Sequence, residues 1–245
     1  MISILLPTRH RPALLERMVK SARDTAKNPL DIVAYIDRDD EVSEFKAKEL
    51  GISYLMGPKV VFTDYWNQCA SIAQGDIYMQ CGDDVVFRTP NWDVLVEKVF
   101  SQFPDRIVLV HGDDLQPRFG RFFGTHPFVH KRWVEATGYF VPPYFKWGSG
   151  DQWLNEVANY LKRRCFVPIV TEHMHFSEGK AETDSTYQTD TNIILEAAEL
   201  YQRMGWERMQ DVEKLTAAMQ KPVIKSLGIK KSNLIKGQQL NDAAI

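Results

Sequence analysis

Adjacent carboxylates at Asp83 and Asp84 follow Gly82 at the end of a short apolar run. Side by side they repel each other and gain nothing from packing. A divalent cation that prefers hard oxygen ligands, Mg²⁺ or Mn²⁺, resolves that cost. A solvated turn is the competing reading, because Gly-Asp-Asp is ordinary turn composition. A second acidic group, Asp37-Arg38-Asp39-Asp40, also follows an apolar run. Its alternative is a charged loop in which Asp39 or Asp40 caps the next helix. Asp151 stands in Trp147-Gly148-Ser149-Gly150-Asp151-Gln152-Trp153-Leu154, at the start of a helical pattern. A carboxylate there can take a proton from a hydroxyl within reach, or simply place charge in the first helical turn. His173 and His175 lie two residues apart at a strand end, so their rings point the same way. His111-Gly112-Asp113-Asp114 repeats the acidic pair, and a capped loop is its better reading.

These residues need elements to hold them. Ile2–Leu6 reads as a strand buried on both faces and stopped by Pro7. Pro12 to Ala26 is a helix with Leu14, Leu15, Met18, Val19 and Ala22 at helical spacing and proline in its first turn. Asp31–Ile36 is a strand, Glu41–Leu50 a helix stopped by Gly51, and Ile52–Met56 a third strand. Thr63 to Gln74 reads as one helix capped by Thr63 and ended by Gly75. Asp76–Gln80 is a strand, Asn91–Phe103 a helix and Arg106–Val110 a strand. Strands alternating with helices predict right-handed β-α-β crossovers on a mostly parallel sheet. Ligands of such sheets sit at the carboxyl ends of the strands, where Pro7-Thr8-Arg9, Asp37 and Asp83-Asp84 all fall. Residues 111–148 are rich in Gly, Pro and aromatics, among them Phe119, and read as short strands and loops walling a pocket. Gly150–Arg163 is helical, Phe166–Val170 a strand, 176–190 a polar loop and Thr191–Met219 helical again. From Lys221 a lysine-bearing tail is expected, with Lys225, Lys230, Lys231 and Lys236.

The 245 residues are 44% hydrophobic and 25% charged with a net charge of −2, so a sizeable core is available and no global polyanion attraction exists. Three widely spaced cysteines, Cys69, Cys81 and Cys165, argue against a disulfide scaffold or thiolate zinc site and fit a reducing, cytoplasmic compartment. No window is long and apolar enough for a membrane span.

The ordered set of motifs resembles the family-2-type GT-A glycosyltransferases. Ile2-Ser3-Ile4-Leu5-Leu6-Pro7-Thr8-Arg9 is similar to their opening strand, Val33–Asp37 to their second, and Asn67–Ile77 to their "N-x-G-x-x-x-A-x-G-d-y". Gly82-Asp83-Asp84 stands where their metal-binding "DxD" stands, and Asp151 and Leu154 match their "E-D-x-x-L". The resemblance covers residues 1–175. Three positions depart from it: Cys81 replaces the first Asp, Cys69 a glycine, and Gly150 the acid before Asp151. The segment His173-x-His175-x-x-x-Gly179-Lys180-Ala181-x-x-Asp184 also resembles phage and bacterial members.

The resemblance implies a GT-A α/β fold over residues 1–185 with a helical extension and basic tail over 186–245. It implies transfer of a sugar from a nucleoside-diphosphate donor, UDP first, to an acceptor hydroxyl, with Mn²⁺ or Mg²⁺ as cofactor. Pro7, Thr8, Arg9, Asp37, Asp39, Asn67, Asp83, Trp147 and Lys180 would hold the nucleotide-sugar. Asp84, with His173 or His175, would bind the metal, and Asp151 would be the base of an inverting reaction. Saccharides and hydroxymethylated DNA bases are both allowed as acceptors; a phage-encoded protein would work in its host's cytoplasm. Two rivals keep the fold: a sugar-phosphate nucleotidyltransferase, disfavoured by the missing glycine-rich loop, and an inactive nucleotide-sugar-binding protein.

Overall fold

The computed structural model describes residues 1–117, 120–176, 179–180 and 190–220. The predicted features at Phe119, Ala181, Asp184 and Lys225, Lys230, Lys231 and Lys236 lie outside the described residues.

Four strands form a parallel set: β1 (Ile2–Thr8), β2 (Asp31–Asp37), β3 (Ser53–Gly57) and β4 (Ile77–Gln80), in the order β3-β2-β1-β4. Alternation along β1 and β2 explains why both faces are buried. Ile2, Ile4, Leu6, Ile32, Ala34 and Ile36 enter one core, and Leu5, Val33 and Tyr35 enter the other. Helix α1 (Pro12–Thr25) starts on proline and buries Leu15, Met18, Val19 and Ala22 against the first core. Helix α2 (Glu41–Leu50) is capped by Asp40, whose carboxylate accepts from Ser43 N at 3.0 Å, and ends at Gly51 with φ 59°. The capping reading therefore holds for Asp40.

The helix expected over Thr63–Gln74 is shorter. A 3-10 turn, Phe62–Asp64, leads into α3 (Tyr65–Ala70). Thr63 is not its cap: its hydroxyl faces Phe145, accepting from the backbone N at 3.2 Å and reaching the backbone O at 3.3 Å. Beyond Ala70 the backbone leaves the helix because Asp31 and Ser3 offer other partners. Gln74 N donates to Asp31 Oδ2 at 2.7 Å and Gly75 N to Ser3 Oγ at 2.9 Å.

The rest of the sheet is mixed. The eight-stranded order is β3-β2-β1-β4-β7-β6-β8-β5, with β5 (Val85–Phe87), β6 (Leu109–Asp113), β7 (Phe128–His130) and β8 (Arg164–His173). β7 lies antiparallel between β4 and β6, while β8 is parallel to β6 and antiparallel to β5. Between them run α4 (Trp92–Ser101), α5 (Lys131–Thr137) and α6 (Gly150–Tyr160). The strand expected at Arg106–Val110 begins three residues later, at Leu109, where its pairing with Val129 and Arg164 starts; Arg106 before it takes a left-handed φ of 62°. The single helix expected over Thr191–Met219 is two, α7 (Thr191–Arg203) and α8 (Gly205–Met219), broken at Met204-Gly205. Tyr201 and Leu215 from this pair belong to the same core as Leu5 and Trp153. Buried Asp211 ties α8 to that core: it accepts from Trp153 Nε1 at 3.0 Å and from the Tyr139 hydroxyl. Among the described residues no helix is long and apolar enough to cross a membrane.

Candidate nucleotide-sugar site

The carboxyl ends of β1, β2 and β4 open into one cavity of about 690 Å³. Pro7, Thr8 and Arg9 line it from β1, Asp37 from β2, and Gly82, Asp83 and Asp84 from the turn after β4. The start of α6 contributes Trp147, Gly148, Gly150 and Asp151, and the end of β8 contributes His173 and His175. Carboxylates far apart in sequence therefore share one space.

Hydrogen bonds fix these groups. Thr8 Oγ1 donates to Asp83 Oδ2 at 2.8 Å, and Arg11 Nη1 reaches Asp83 Oδ1 at 3.2 Å. Burial, then the charge of Asp84, pushes the Asp83 carboxyl up, while Arg11 opposes the shift. Arg9 Nη1 donates to Asp37 Oδ2 at 2.6 Å and both Arg9 Nη atoms grip Asp39, at 2.6 and 2.9 Å. The Tyr65 hydroxyl donates to Asp37 Oδ1 at 3.2 Å. A carboxylate oxygen has two lone pairs, so Asp37 keeps capacity for another donor.

Asp84 Oδ2 lies 3.2 Å from His173 Nε2, and Gln116 Nε2 lies 2.6 Å from His173 Nδ1. Burial works against charge on His173, yet the Asp84 hydrogen bond and charge, with Asp114 and Asp151, outweigh it and raise its pKa. The His126 ring packs edge-on to His173 at 4.9 Å between centroids, and the His175 ring lies 5.1 Å from that of His173. Burial, then His173, pushes His126 down to about 4. Asp151 accepts from Gln152 N at 2.8 Å, and desolvation lifts its carboxyl to about 6.

The departures from the family pattern have local causes. Cys81 is buried in the first core and donates its thiol to Gly82 O at 3.3 Å, so no charge is buried there. Cys69 packs in the second core. A Cβ on Gly82 would meet Asp84 Oδ1 at 2.7 Å. A Cβ on Gly150 would meet Val141 Cγ1 at 2.6 Å, which leaves no room for an acid before Asp151. Gly148 and Ser149 both take left-handed φ, 53° and 59°, and turn the chain so that Asp151 faces the cavity.

Three expected site residues sit outside the cavity lining. The Asn67 amide holds the chain near α5: its Oδ1 accepts from Phe140 N at 2.8 Å and Val141 N at 3.1 Å, and its Nδ2 donates to Val141 O at 2.7 Å. Asp39 is held by Arg9. Lys180 Nζ pairs with Glu172 Oε1 at 3.0 Å. Asp114, read as part of a capped loop, does accept from Gln116 N at 3.0 Å, and also from the Thr125 hydroxyl at 2.5 Å. Sequence reasoning missed Arg11, Tyr65, Gln80 and His126 as lining residues. Arg11 had a signal, two residues beyond Arg9; His126 had none, because β7 is too short to announce itself.

Among the described residues no three acidic, histidine or cysteine side chains form a ready-made metal cage. Asp84, in the cradle that glycine at 82 leaves open, with imidazole beside it, is a donor set fitting Mn²⁺ and, through its oxygens, Mg²⁺.

No protein-family model matches the sequence, and no curated protein matches it. Solved structures do match the fold. The mannosyltransferase PcManGT from Pyrobaculum calidifontis, in complex with GDP-Man and Mn²⁺, aligns at TM-score 0.56 and 13% identity over 89% of this chain and 73% of its own. S. aureus TarS 1–349 with UDP-GlcNAc aligns at 0.60 and 11% over 89% and 72%. Glucosyl-3-phosphoglycerate synthase from Mycobacterium tuberculosis, with Mn²⁺, UDP-glucose and phosphoglyceric acid, aligns at 0.54 and 13% over 91% and 80%. The chain thus has the GT-A-type fold that these glycosyltransferases share. At these identities the likeness concerns the fold.

Proposed function

We propose that this protein is a metal-dependent glycosyltransferase that moves a sugar from a nucleoside-diphosphate donor to an acceptor hydroxyl. The observation that carries the reading is the meeting of Asp37, Asp83, Asp84 and Asp151 around one cavity at the strand ends. A fold shared with nucleotide-sugar enzymes supports it by analogy.

Arg9 and Asp37 border the nucleotide base, with Asp37 accepting from a base N–H, and Trp147 offers a ring against a base or sugar face. Uridine is the base we assign first. Asp83, held by Thr8 and Arg11, faces the ribose or sugar. Asp84, with His173 or His175, would hold Mn²⁺ or Mg²⁺. Such a cation supplies charge neutralisation to the diphosphate leaving group. Asp151 takes the acceptor proton; its elevated pKa brings it closer to that of a useful base near neutral pH. Attack from the face opposite the leaving group gives inversion.

Incubation with UDP-glucose or GDP-mannose and Mn²⁺ tests the reading through release of the nucleoside diphosphate. Release that depends on Mn²⁺ and falls in Asp151→Asn is expected. No release with any donor under either metal would leave a binding module.

A further inference from the structure

His173 is held at both ring nitrogens. Its Nε2 lies 3.2 Å from Asp84 Oδ2, and its Nδ1 lies 2.6 Å from Gln116 Nε2. The His126 ring packs edge-on against it. Its backbone is tied to the same two neighbourhoods: His173 N donates to Asp114 O at 3.0 Å, and Met174 N to Asp84 O at 2.8 Å. Gln116 is fixed in turn, because Asp114 accepts from Gln116 N with one carboxylate oxygen and from the Thr125 hydroxyl with the other. Gln116 is 8% exposed and stands outside the cavity lining, whereas Asp84 and His173 line it. Its amide therefore acts on the site through the imidazole.

An imidazole coordinates a cation through the nitrogen that carries no proton, and the hydrogen bond at the other nitrogen decides which one that is. Without a cation, Nε2–H donates to Asp84 while Nδ1 accepts from the Gln116 amide NH₂. Beside a cation on Asp84, Nε2 must present its lone pair and Nδ1 must carry the proton. The amide serves this state as well: turned over, its oxygen accepts from Nδ1–H. One proton leaves Nε2 and one is taken up at Nδ1, so the ring keeps its net charge. A carboxylate at this position accepts only, and an apolar side chain does neither.

We propose that Gln116 is a positioning residue that sets the tautomer of His173, so that Nε2 faces a divalent cation held by Asp84. The inference rests on the metal-dependent glycosyltransferase reading and makes its histidine ligand specific. Gln116 belongs to none of the motifs that carry the family resemblance.

Calorimetric titration of the full chain with UDP, or with GDP if that binds more tightly, across a Mn²⁺ series tests the assignment without turnover. The Mn²⁺ concentration that half-maximally tightens nucleotide binding reports metal affinity at the site. Gln116→Met should weaken that affinity about 10- to 100-fold, and Gln116→Glu, which keeps an acceptor for Nδ1–H, should stay within about threefold of wild type. In a His173→Gln background both substitutions should change it less than about twofold, because the group they act through is gone. If Gln116→Met fails to fold, Gln116→Asn, whose amide ends one methylene short of the ring, replaces it; His173→Asn replaces the background in the same way. Wild-type metal affinity in the folded Gln116→Met or Gln116→Asn protein overturns the positioning role alone. So does an equal loss in the Glu variant, or an undiminished loss without His173. A wild type whose nucleotide binding ignores Mn²⁺ removes the metal-dependent reading and this role with it.

Discussion

Thr8 and Asp83, 75 positions apart, meet through a 2.8 Å hydrogen bond from hydroxyl to carboxylate. That contact ties the end of β1 to the turn after β4, and the same carboxylate takes Arg11 from the start of α1. The acidic turn is therefore held from two sides. Thr8→Val should cost about 1–3 kcal/mol of stability, because a charged acceptor loses a buried donor. Chemical denaturation of the two proteins at pH 8 measures it; equal midpoints and slopes would mean that Thr8 does not hold Asp83.

Asp151 predicts a pH signature. Its folded pKa of about 6 stands above the ordinary 3.8. The group therefore favours the folded state most below pH 4, and that contribution is lost as pH rises through 6. Asp151→Asn should raise the melting temperature at pH 8 and lose that advantage by pH 4, a difference of about 3 kcal/mol at most. Transfer should show the opposite dependence, since a base must be deprotonated: kcat rises with pH up to about 6, then flattens. The same variant should lower kcat about 10²- to 10⁴-fold. A flat pH profile below 6 would remove Asp151 as the base.

Gly150 is where this chain lacks the family's acid. With Val141 Cγ1 at 2.6 Å from the missing Cβ, Gly150→Glu should destabilise by about 1–3 kcal/mol rather than improve activity. Gly150→Ala with Val141→Ala should recover part of what Gly150→Ala alone loses. Additive losses in thermal melts would show that the two positions do not clash.

Asn67 predicts a change in stability more than in affinity. Its amide satisfies two backbone N–H groups and one carbonyl at Phe140 and Val141. Asn67→Ala should destabilise by about 2–4 kcal/mol, as several buried groups lose partners at once. Nucleotide affinity of the folded fraction should stay within about threefold. A selective loss of nucleotide binding at unchanged melting temperature would return Asn67 to the donor site.

The parallel half of the sheet was legible because its strands are continuous apolar runs, two of them leading into acids at Asp37 and at Asp83-Asp84, and its helices carry clear 3.6-residue spacing. The gathering of Asp37, Asp83 and Asp84 followed from that pattern alone. Shorter elements were less readable. β7 has three residues, and its antiparallel position depends on pairing with β4, which no local signal encodes. The break at Met204-Gly205 is hidden inside a helical periodicity that runs through it. Asn67, inside a motif that resembles a donor-site signature, turned inward because the backbone of Phe140 and Val141 needed partners. Gln80 and His126 were invisible for another reason: a lone Gln or His in an apolar stretch says nothing until the cavity beside it is known.

Nucleoside-diphosphate binding with and without Mn²⁺, in the wild type and in Asp84→Asn, tests the central claim most directly. Titration calorimetry should give wild-type binding of UDP or GDP at least about tenfold tighter in Mn²⁺ than in chelator, with that difference gone in a folded Asp84→Asn. Equal affinity with and without metal in the wild type, or an undiminished metal effect in the variant, would contradict the assignment of Asp84 and the reading built on it.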